Sequence, residues 1–167
     1  MRSGVRLGID VGKARIGVAR SDLHGMLATP VETVPRDPEG RADIARLLGI
    51  AAELEAREVI VGLPLNMRGE RTLSTDDATG FAERLAAELA ASATPVPVRL
   101  VDERLSTVSA QGQLRQVGKK TKQTRSIIDQ AAAVVILQHA LDSERAQGAA
   151  PGRAVELADG ESEGNHA

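Results

Sequence analysis

The sequence predicts an α/β domain built on a mixed β-sheet, with helices on both faces of the sheet. Residues 5 to 21 alternate apolar and polar or small side chains with the period of two that is typical of strands. Further along, segments with apolar residues at spacings of three and four alternate with short β-branched runs. We therefore expect three antiparallel strands at the N-terminus, followed by parallel strands that alternate with helices. A length of 167 residues is close to that of one ordinary domain.

The first three predicted elements are strands. In VRLGID, which begins at Val5, apolar side chains occupy every second position. VGKA then forms a turn that contains glycine, and RIGVARSD predicts a returning strand, so residues 5 to 21 are expected to form a β-hairpin. PVETVP, bounded by Pro30 and Pro35, predicts a short third strand.

Helices and strands alternate in the rest of the chain. The segment from about 41 to 57 has the apolar spacing of an amphipathic helix, and the β-branched run VIVGLP after it predicts a buried strand. A second helix is predicted over about 76 to 91, and VPVRLV at 96 to 101 predicts a fifth strand. The almost wholly apolar segment from 126 to 142 predicts a long final helix.

The chain is expected to divide into a folded domain over residues 1 to 142 and a disordered acidic tail over residues 143 to 167. The tail is rich in Ala, Gly, Glu and Ser and has no apolar period, so it has no means of offsetting its ordering entropy. Five acids against two arginines make the tail acidic. The folded part is therefore nearly neutral, and any local excess of one charge within it is informative.

Composition excludes several kinds of site. The absence of cysteine excludes a disulfide scaffold, a thiolate nucleophile and any zinc site with cysteine ligands. The three histidines are far apart and show no metal-ligand spacing. No run approaches the roughly 18 apolar residues of a membrane span, and no secretory signal precedes the first strand, so we expect a cytoplasmic protein without a membrane partner. Because Phe81 is the single aromatic residue, nucleic acid would be bound through its backbone and shape and not by base stacking.

Acidic residues mark the ends of two strands and the last helix. Asp10 ends the first strand, Asp102 and Glu103 end the fifth, and Asp129 lies in the first turn expected for the final helix. Carboxylates that converge repel one another unless a cation lies between them, and hard oxygen ligands suit Mg²⁺ or Mn²⁺. In an alternating strand Asp102 and Glu103 face opposite ways, so at most one of them joins Asp10 directly.

A basic segment lies between two of these acids. Residues 104 to 128 contain no acidic residue and six basic ones. In a nearly neutral domain this excess favours phosphate binding, although a solvated loop is the simpler interpretation of a charge run. Cations beside metal-binding carboxylates indicate metal-assisted phosphodiester hydrolysis. The side chains expected to bind nucleic acid are Lys13 and Arg15 of the first hairpin together with Arg104, Lys119, Lys120, Lys122 and Arg125.

Four motifs resemble, in order and spacing, those of the YqgF/RuvX family. They are GIDVGKARIGVA at 8 to 19, VGLPLNMRG at 61 to 69, VDERLST at 101 to 107, and the lysine-rich loop leading into IIDQAAAVVILQ at 127 to 138. The resemblance extends from residue 5 to about residue 142. It implies a ribonuclease H-like fold related to RuvC resolvases, and a nuclease that matures the 5′ end of pre-16S ribosomal RNA. Holliday-junction resolution is the alternative activity in this family.

The resemblance also implies roles for individual residues. Asp10 in GID, Glu103 in DER and Asp129 in IIDQ match the acids that the family is expected to use for catalysis and for binding Mg²⁺ or Mn²⁺. On these grounds Glu103 is favoured over Asp102. Arg68 departs from the acidic or amide residue expected after NM, which puts a direct role for that position in doubt.

Each candidate acid also has a purely structural interpretation. Asp10 could close the hairpin as an Asx-turn residue, and Glu103 could pair with Arg99 or Arg104. Ser126 and Asp129 fit a capping box, which would make the acid a device for starting the helix. These alternatives are open at the level of sequence.

Other functional classes are open as well. The hairpin that contains Asp10 resembles the phosphate loop of actin-like and sugar-kinase ATPases, but those proteins need two such domains and this sequence has no internal repeat. A non-catalytic ribosome-assembly or transcription partner would keep the same carboxylates and lysines. We expect a nucleic-acid partner, either pre-rRNA or branched DNA. Ribosome association and the choice between monomer and homodimer are open.

Overall fold

The computed structural model describes residues 3–102 and 122–156, and for residues 122–126 it describes the backbone alone. Nine helices and strands lie in these ranges. In chain order they are β1 (Val5–Val11), β2 (Arg15–Ser21), β3 (Ala28–Pro35), α1 (Ala42–Glu53), β4 (Ala56–Leu63), α2 (Leu73–Ala90), β5 (Val98–Asp102), α3 (Lys122–Gln147) and β6 (Arg153–Ala154).

The strands form one mixed sheet in the order β3-β2-β1-β4-β5-β6. β1, β2 and β3 are antiparallel to one another, whereas β1, β4 and β5 are parallel. The predicted fold class is confirmed, as is the hairpin over residues 5 to 21. Because β1, β4 and β5 run the same way, their carboxyl ends meet at one edge of the sheet.

Alternation along the strands sends side chains to two different cores. Leu7 and Ile9 of β1 pack with Phe81 of α2 and with residues of α1. Ile60 of β4 packs instead with Leu137 and other apolar residues of α3. We call these two sides of the sheet the α1–α2 face and the α3 face. Helices therefore cover both faces, as the sequence predicts.

Two glycines allow α3 to lie directly on the sheet. A Cβ added to Gly8 of β1 would lie 2.7 Å from the Cβ of Leu137. A Cβ added to Gly17 of β2 would lie only 1.9 Å from the main-chain oxygen of Asp129, a distance that real Cβ atoms do not show. Because glycine has no Cβ, the helix can approach the sheet this closely at both positions. At Gly17 this close approach places the backbone of Asp129 directly over β2.

The final helix is longer at both ends than the sequence predicts. It begins at Lys122, so Asp129 lies well inside the helix and not in its first turn. The capping-box interpretation of Ser126 and Asp129 is therefore wrong, because the helix starts four residues before Ser126. Although α3 has 26 residues, none of the helices in the described part of the chain is long and apolar enough to cross a membrane.

The expectation of disorder from residue 143 onward is also wrong for residues 143 to 156. The buried Glu144 carboxylate of α3 pairs with the buried Arg6 guanidinium of β1 at 3.5 Å. Arg145 donates a hydrogen bond to the Gly25 carbonyl at 2.7 Å, and β6 pairs with β5. An ion pair and hydrogen bonds to main-chain groups help to order this segment. Contacts of this kind produce no apolar periodicity in the sequence, so the sequence did not predict the order. For residues 157–167, outside the described ranges, disorder stays a prediction.

Candidate active site

Asp10 faces α3 because of its position in β1. Arg6, Gly8 and Asp10 alternate with the core residues Leu7 and Ile9, so they share the opposite face of the sheet. Arg6 meets α3 at Glu144, and Gly8 meets it one step further on, at Leu137 and Ala133. The helix therefore runs antiparallel to β1, and Asp10 is the next residue of this series toward the start of α3.

A row of residues across three strands brings Asp129 to the same place. Asp10 of β1 is the cross-strand partner of Gly17 of β2, which is the partner of Thr33 of β3. Partners of this kind have Cβ positions about 5 Å apart on one face of the sheet. The main-chain oxygen of Asp129 lies over Gly17, and the Gln130 side-chain amide donates to the Thr33 hydroxyl at 3.0 Å. Two of the three predicted acids, Asp10 and Asp129, are thus brought together.

Arg15 makes a contact that the sequence did not predict. It lies two residues before Gly17, on the same face of β2, and its Nε donates to Oδ2 of Asp129 at 2.7 Å. The Asp129 side chain is 17% exposed and that of Arg15 is 37% exposed. Arg15 was expected to bind phosphate, but its guanidinium here binds a predicted metal ligand.

Asp102 lies on the opposite side of the sheet from Asp10. In β5, Leu100 packs in the core of the α1–α2 face and Val101 in the core of the α3 face. Asp102 is the cross-strand partner of Leu63, which packs on the α1–α2 face, and its own side chain is exposed there. Asp102, one of the two adjacent acids left open by the sequence, therefore does not face α3.

Several predicted site residues lie outside what the structure describes. Glu103, Arg104, Lys119 and Lys120 fall between residues 102 and 122. Lys122 and Arg125 lie in the first turns of α3, but their side chains are not among those described. Their roles stay predictions. Within residues 3–102 and 122–156, no group of three His, Cys, Asp or Glu side chains is arranged to hold a metal ion.

Arg36 holds the turn between β1 and β2, a role that sequence reasoning missed. Its guanidinium donates to the Gly12 carbonyl at 2.7 Å, and its main-chain N–H donates to the Ala14 carbonyl at 2.9 Å. The same guanidinium lies 5.1 Å from the centre of the Phe81 ring. These partners are between 22 and 45 residues away along the chain, so no local pattern indicates the role.

Charge around this turn is balanced by Asp77 of α2. Arg36 donates two hydrogen bonds to the Asp77 carboxylate, at 2.9 and 3.0 Å. The hydrogen bond from Arg36 is the main cause that lowers the pKa of Asp77, and partial burial opposes it. The positive charges of Arg36, Arg84 and Lys13 lower the pKa further, which places Lys13 close enough to act on this carboxylate. Asp77 in turn raises the pKa of Arg36.

The loop between β4 and α2 lies at the same edge of the sheet. The Asn66 side-chain oxygen accepts hydrogen bonds from the main-chain N–H groups of Arg68 and Glu70, both at 2.9 Å. Thr72 and Thr75 then form a capping box at the start of α2. Asn66 therefore shapes a turn beside the site, and the Arg68 side chain is exposed on that turn.

The architecture matches solved structures of RuvC. A Thermus thermophilus RuvC in complex with a Holliday junction substrate is 20% identical, with a TM-score of 0.55 over 90% of this chain and 99% of that chain. A second Thermus thermophilus RuvC structure, also 20% identical with the same coverage, gives a TM-score of 0.51. At this level of identity the likeness shows the fold, and the fold is ribonuclease H-like.

Sequence comparison identifies the family. The RuvX family model, described as Holliday junction resolvase, matches residues 4–143. Similar proteins come from Clavibacter michiganensis subsp. michiganensis (62% identical over 155 residues, 93% of each chain) and Leifsonia xyli subsp. xyli (59% over 156 residues, 93% of this chain and 97% of the other). Both carry the name "Putative pre-16S rRNA nuclease". This chain belongs to the RuvX family, which confirms the resemblance seen in its motifs.

Proposed function

We propose that this chain is a metal-dependent endonuclease that hydrolyses phosphodiester bonds in nucleic acid. The observation that carries the proposal is that Asp10 and Asp129 both lie beside Gly17, at the edge where the parallel strands end. Family membership supports the same activity. Two carboxylates on one face of a sheet repel each other unless a cation lies between them, so their meeting favours a metal site.

The two acids fit a hard divalent cation. Carboxylate oxygens are the ligands that Mg²⁺ and Mn²⁺ prefer, and Asp129 is carried by a helix that packs closely against the sheet. Glu103 would be the third ligand, and the orientation of Asp102 toward the α1–α2 face supports this choice between the neighbours. When bound, the metal activates a water molecule and stabilises the charge on the leaving oxygen.

The protein's own residues would position the substrate around this site. Lys13 is exposed on the turn that directly follows β1, and Arg36 fixes that turn through the Gly12 carbonyl. A phosphate next to the cleaved bond would therefore meet a cation carried by a turn whose backbone is held in place. Phe81, the single aromatic residue of the chain, is buried beneath Arg36 and so is not available to stack on a base. Recognition would depend on the backbone and shape of the nucleic acid.

The substrate we favour is the 5′ region of pre-16S ribosomal RNA, because the similar proteins above carry that name. Branched DNA is the second candidate, supported by the description of the family model and by the RuvC fold. A non-catalytic ribosome-assembly or transcription partner is the third. It would bind nucleic acid and cleave neither substrate.

Cleavage of a pre-16S RNA fragment and of a four-way DNA junction, under identical Mg²⁺ conditions, tests the proposal. We expect cleavage of the RNA that stops in EDTA and is lost in Asp10→Asn and Asp129→Asn. Asp142→Asn is the matched control, because Asp142 lies on the same helix but pairs with Arg145 away from the site. Wild-type cleavage rates in both active-site variants would reject the assignment, and tight binding without cleavage of either substrate would favour the non-catalytic partner.

A further inference from the structure

Arg15 is positioned by three elements so that its guanidinium meets Asp129. It is the first residue of β2, where its cross-strand partner is Pro35 of β3. Its side chain shares the α3 face with Gly17, and the absence of a side chain at Gly17 lets the helix bring Asp129 within 2.7 Å of Arg15 Nε. The contact joins residues 114 positions apart, so it depends on the complete fold of the sheet and helix.

The charge arrangement explains what this contact does in the absence of metal. Asp10 and Asp129 are two carboxylates on one face of the sheet, and such groups repel each other unless a cation is near. Arg15 supplies a positive charge at one oxygen of Asp129. With more than a third of its side chain exposed, Arg15 forms an ion pair of the weak, solvent-screened kind.

From this arrangement we propose that Arg15 competes with the divalent metal for Asp129, and that the metal, by taking Asp129, releases Arg15 to bind a substrate phosphate. The proposal rests on the nuclease function proposed above. Arg15 is then a positioning residue in the free protein and a phosphate ligand in the loaded one. The Arg15 side chain would then contact Asp129 in the metal-free protein and a phosphate in the metal-bound protein.

The released side chain is suited to phosphate. The planar guanidinium fork can donate two parallel hydrogen bonds to phosphate oxygens, and its charge is permanent. Lys13, two residues earlier, is exposed on the turn that leads into β2, so the two cations would follow one stretch of backbone. Metal binding to Asp129 frees Arg15 to bind phosphate, and phosphate binding to Arg15 frees Asp129 to bind metal. Metal and nucleic acid should therefore each increase the affinity of the protein for the other by the same factor.

Metal binding without nucleic acid is the first test. Mn²⁺ titration by calorimetry should show about 2- to 5-fold tighter binding to Arg15→Met than to wild type, the range expected for losing a weak ion pair. Arg20→Met is the matched control, because Arg20 lies on the same strand and bonds to the Ser21 carbonyl, not to a carboxylate. It should leave Mn²⁺ affinity unchanged. Equal or weaker Mn²⁺ binding to Arg15→Met would overturn the proposal.

Salt dependence of nucleic-acid binding is the second test. Binding of the RNA fragment is measured as log K against log of KCl concentration, once with Ca²⁺ and once with EDTA. With Ca²⁺, Arg15→Met should show a slope shallower than wild type by about 0.7 to 0.9, the contribution of one phosphate contact. With EDTA the difference between the two slopes should be smaller, because Asp129 then holds Arg15 for part of the time. The same difference in both conditions, or no difference in either, would overturn the release step.

Failure of this proposal can be distinguished from failure of the nuclease assignment. If wild type binds Mn²⁺ and cleaves RNA, while Arg15→Met binds Mn²⁺ no more tightly, competition by Arg15 is wrong and the nuclease assignment stands. If wild type and Asp129→Asn both fail to bind Mn²⁺, the metal site itself is wrong, and this proposal falls with it. Because the Arg15 side chain is partly exposed, Arg15→Met is expected to fold, which a thermal melt will verify.

Discussion

On β1, the side chains that face α1 and α2 are large and apolar, whereas those that face α3 are charged or absent. Leu7 and Ile9 fill the core of the α1–α2 face. Of the residues that alternate with them, Arg6 pairs with Glu144 and Gly8 admits the helix. Asp10 lies beside Gly17, over which the helix places Asp129. The comparison teaches that alternate residues of one strand serve two different purposes. One side of the strand contributes hydrophobic burial, and the other lets the helix pack so closely that carboxylates from strand and helix lie near each other.

Gly17→Ala should have the largest effect, because it fills the space on which the α3 face depends. The added Cβ would lie 1.9 Å from the main-chain oxygen of Asp129, so the helix must move or the protein must unfold. We expect a loss of about 3 kcal/mol or more in the free energy of unfolding, the upper end for overpacking, and loss of cleavage because Asp129 is displaced. Urea unfolding and the RNA cleavage assay measure the two effects.

Gly80→Ala is the control for that substitution. Gly80 lies in α2, and a Cβ there would meet nothing within 4 Å. Alanine should therefore raise the free energy of unfolding by up to about 1 kcal/mol through helix propensity alone, with cleavage unchanged. A Gly17→Ala protein as stable and active as wild type would contradict the close packing of α3 against β2 at Gly17.

Leu85→Ala tests the other face. Leu85 is buried in the core between α2 and the sheet, and truncation should cost about 2 to 5 kcal/mol in the free energy of unfolding. The cleavage rate of the folded protein at low temperature should stay near that of wild type, because no site residue moves. The volume-conserving Leu85→Met should cost less than about 1.5 kcal/mol. If fully folded Leu85→Ala lost cleavage, packing on the α1–α2 face would have to influence the site on the α3 face.

Arg36→Met should affect both stability and cleavage, since Arg36 joins the α1–α2 face to the turn after Asp10. It removes the hydrogen bond to the Gly12 carbonyl and the pair with Asp77, and it leaves the buried Asp43 without the cation 3.8 Å away. We expect a loss of about 1 to 3 kcal/mol and a several-fold slower cleavage. Arg46→Met, which breaks only the more exposed pairs with Glu32 and Glu53, should change stability by at most about 1 kcal/mol and leave cleavage alone.

The smallest expected effect is the pH dependence of the pair between Arg36 and Asp77. Arg36 lowers the pKa of Asp77 in the folded protein below its ordinary value of 3.8. The pair therefore stabilises the fold above about pH 4, and its contribution is lost as pH falls through the lowered pKa. Because the Asp77 side chain is 41% exposed, we expect less than about 1 kcal/mol. A double-mutant cycle of Arg36→Met and Asp77→Asn should show coupling at pH 7 that weakens as the pH falls below 3.8, and coupling that grows on acidification would contradict this.

Local patterns predicted the strands and the side of the sheet on which Asp10 lies. A period of two fixes which side chains share a face, and it needs only residues 5 to 10 to do so. The same rule predicts from the sequence that Asp102 and Glu103 face opposite ways, and the structure shows which face Asp102 takes. The mixed sheet and its facing helices followed from the alternation of elements.

The contacts that complete the site could not be predicted, because they join distant parts of the chain. The pair between Arg15 and Asp129 spans 114 residues, and the bond from Arg36 to Gly12 spans 24. Neither Arg15 nor Arg36 belongs to a local sequence pattern from which its partner could be predicted. The end of α3 was missed for a related reason: Glu144 is polar, so it interrupts the apolar period at the point where a buried ion pair with Arg6 holds the helix.

The two-residue strand β6 has a consequence for how molecules of this protein behave toward one another. By pairing with Arg99 and Leu100, it occupies main-chain groups of β5 that would otherwise be open at the rim of the sheet. Exposed rims of this kind recruit strands from other chains and begin aggregation. A protein cut after residue 142 would lose both this cover and Glu144, a buried partner of Arg6. The last turn of α3 and β6 therefore protect against self-association, and we expect a protein cut after residue 142 to precipitate where the intact protein stays dispersed.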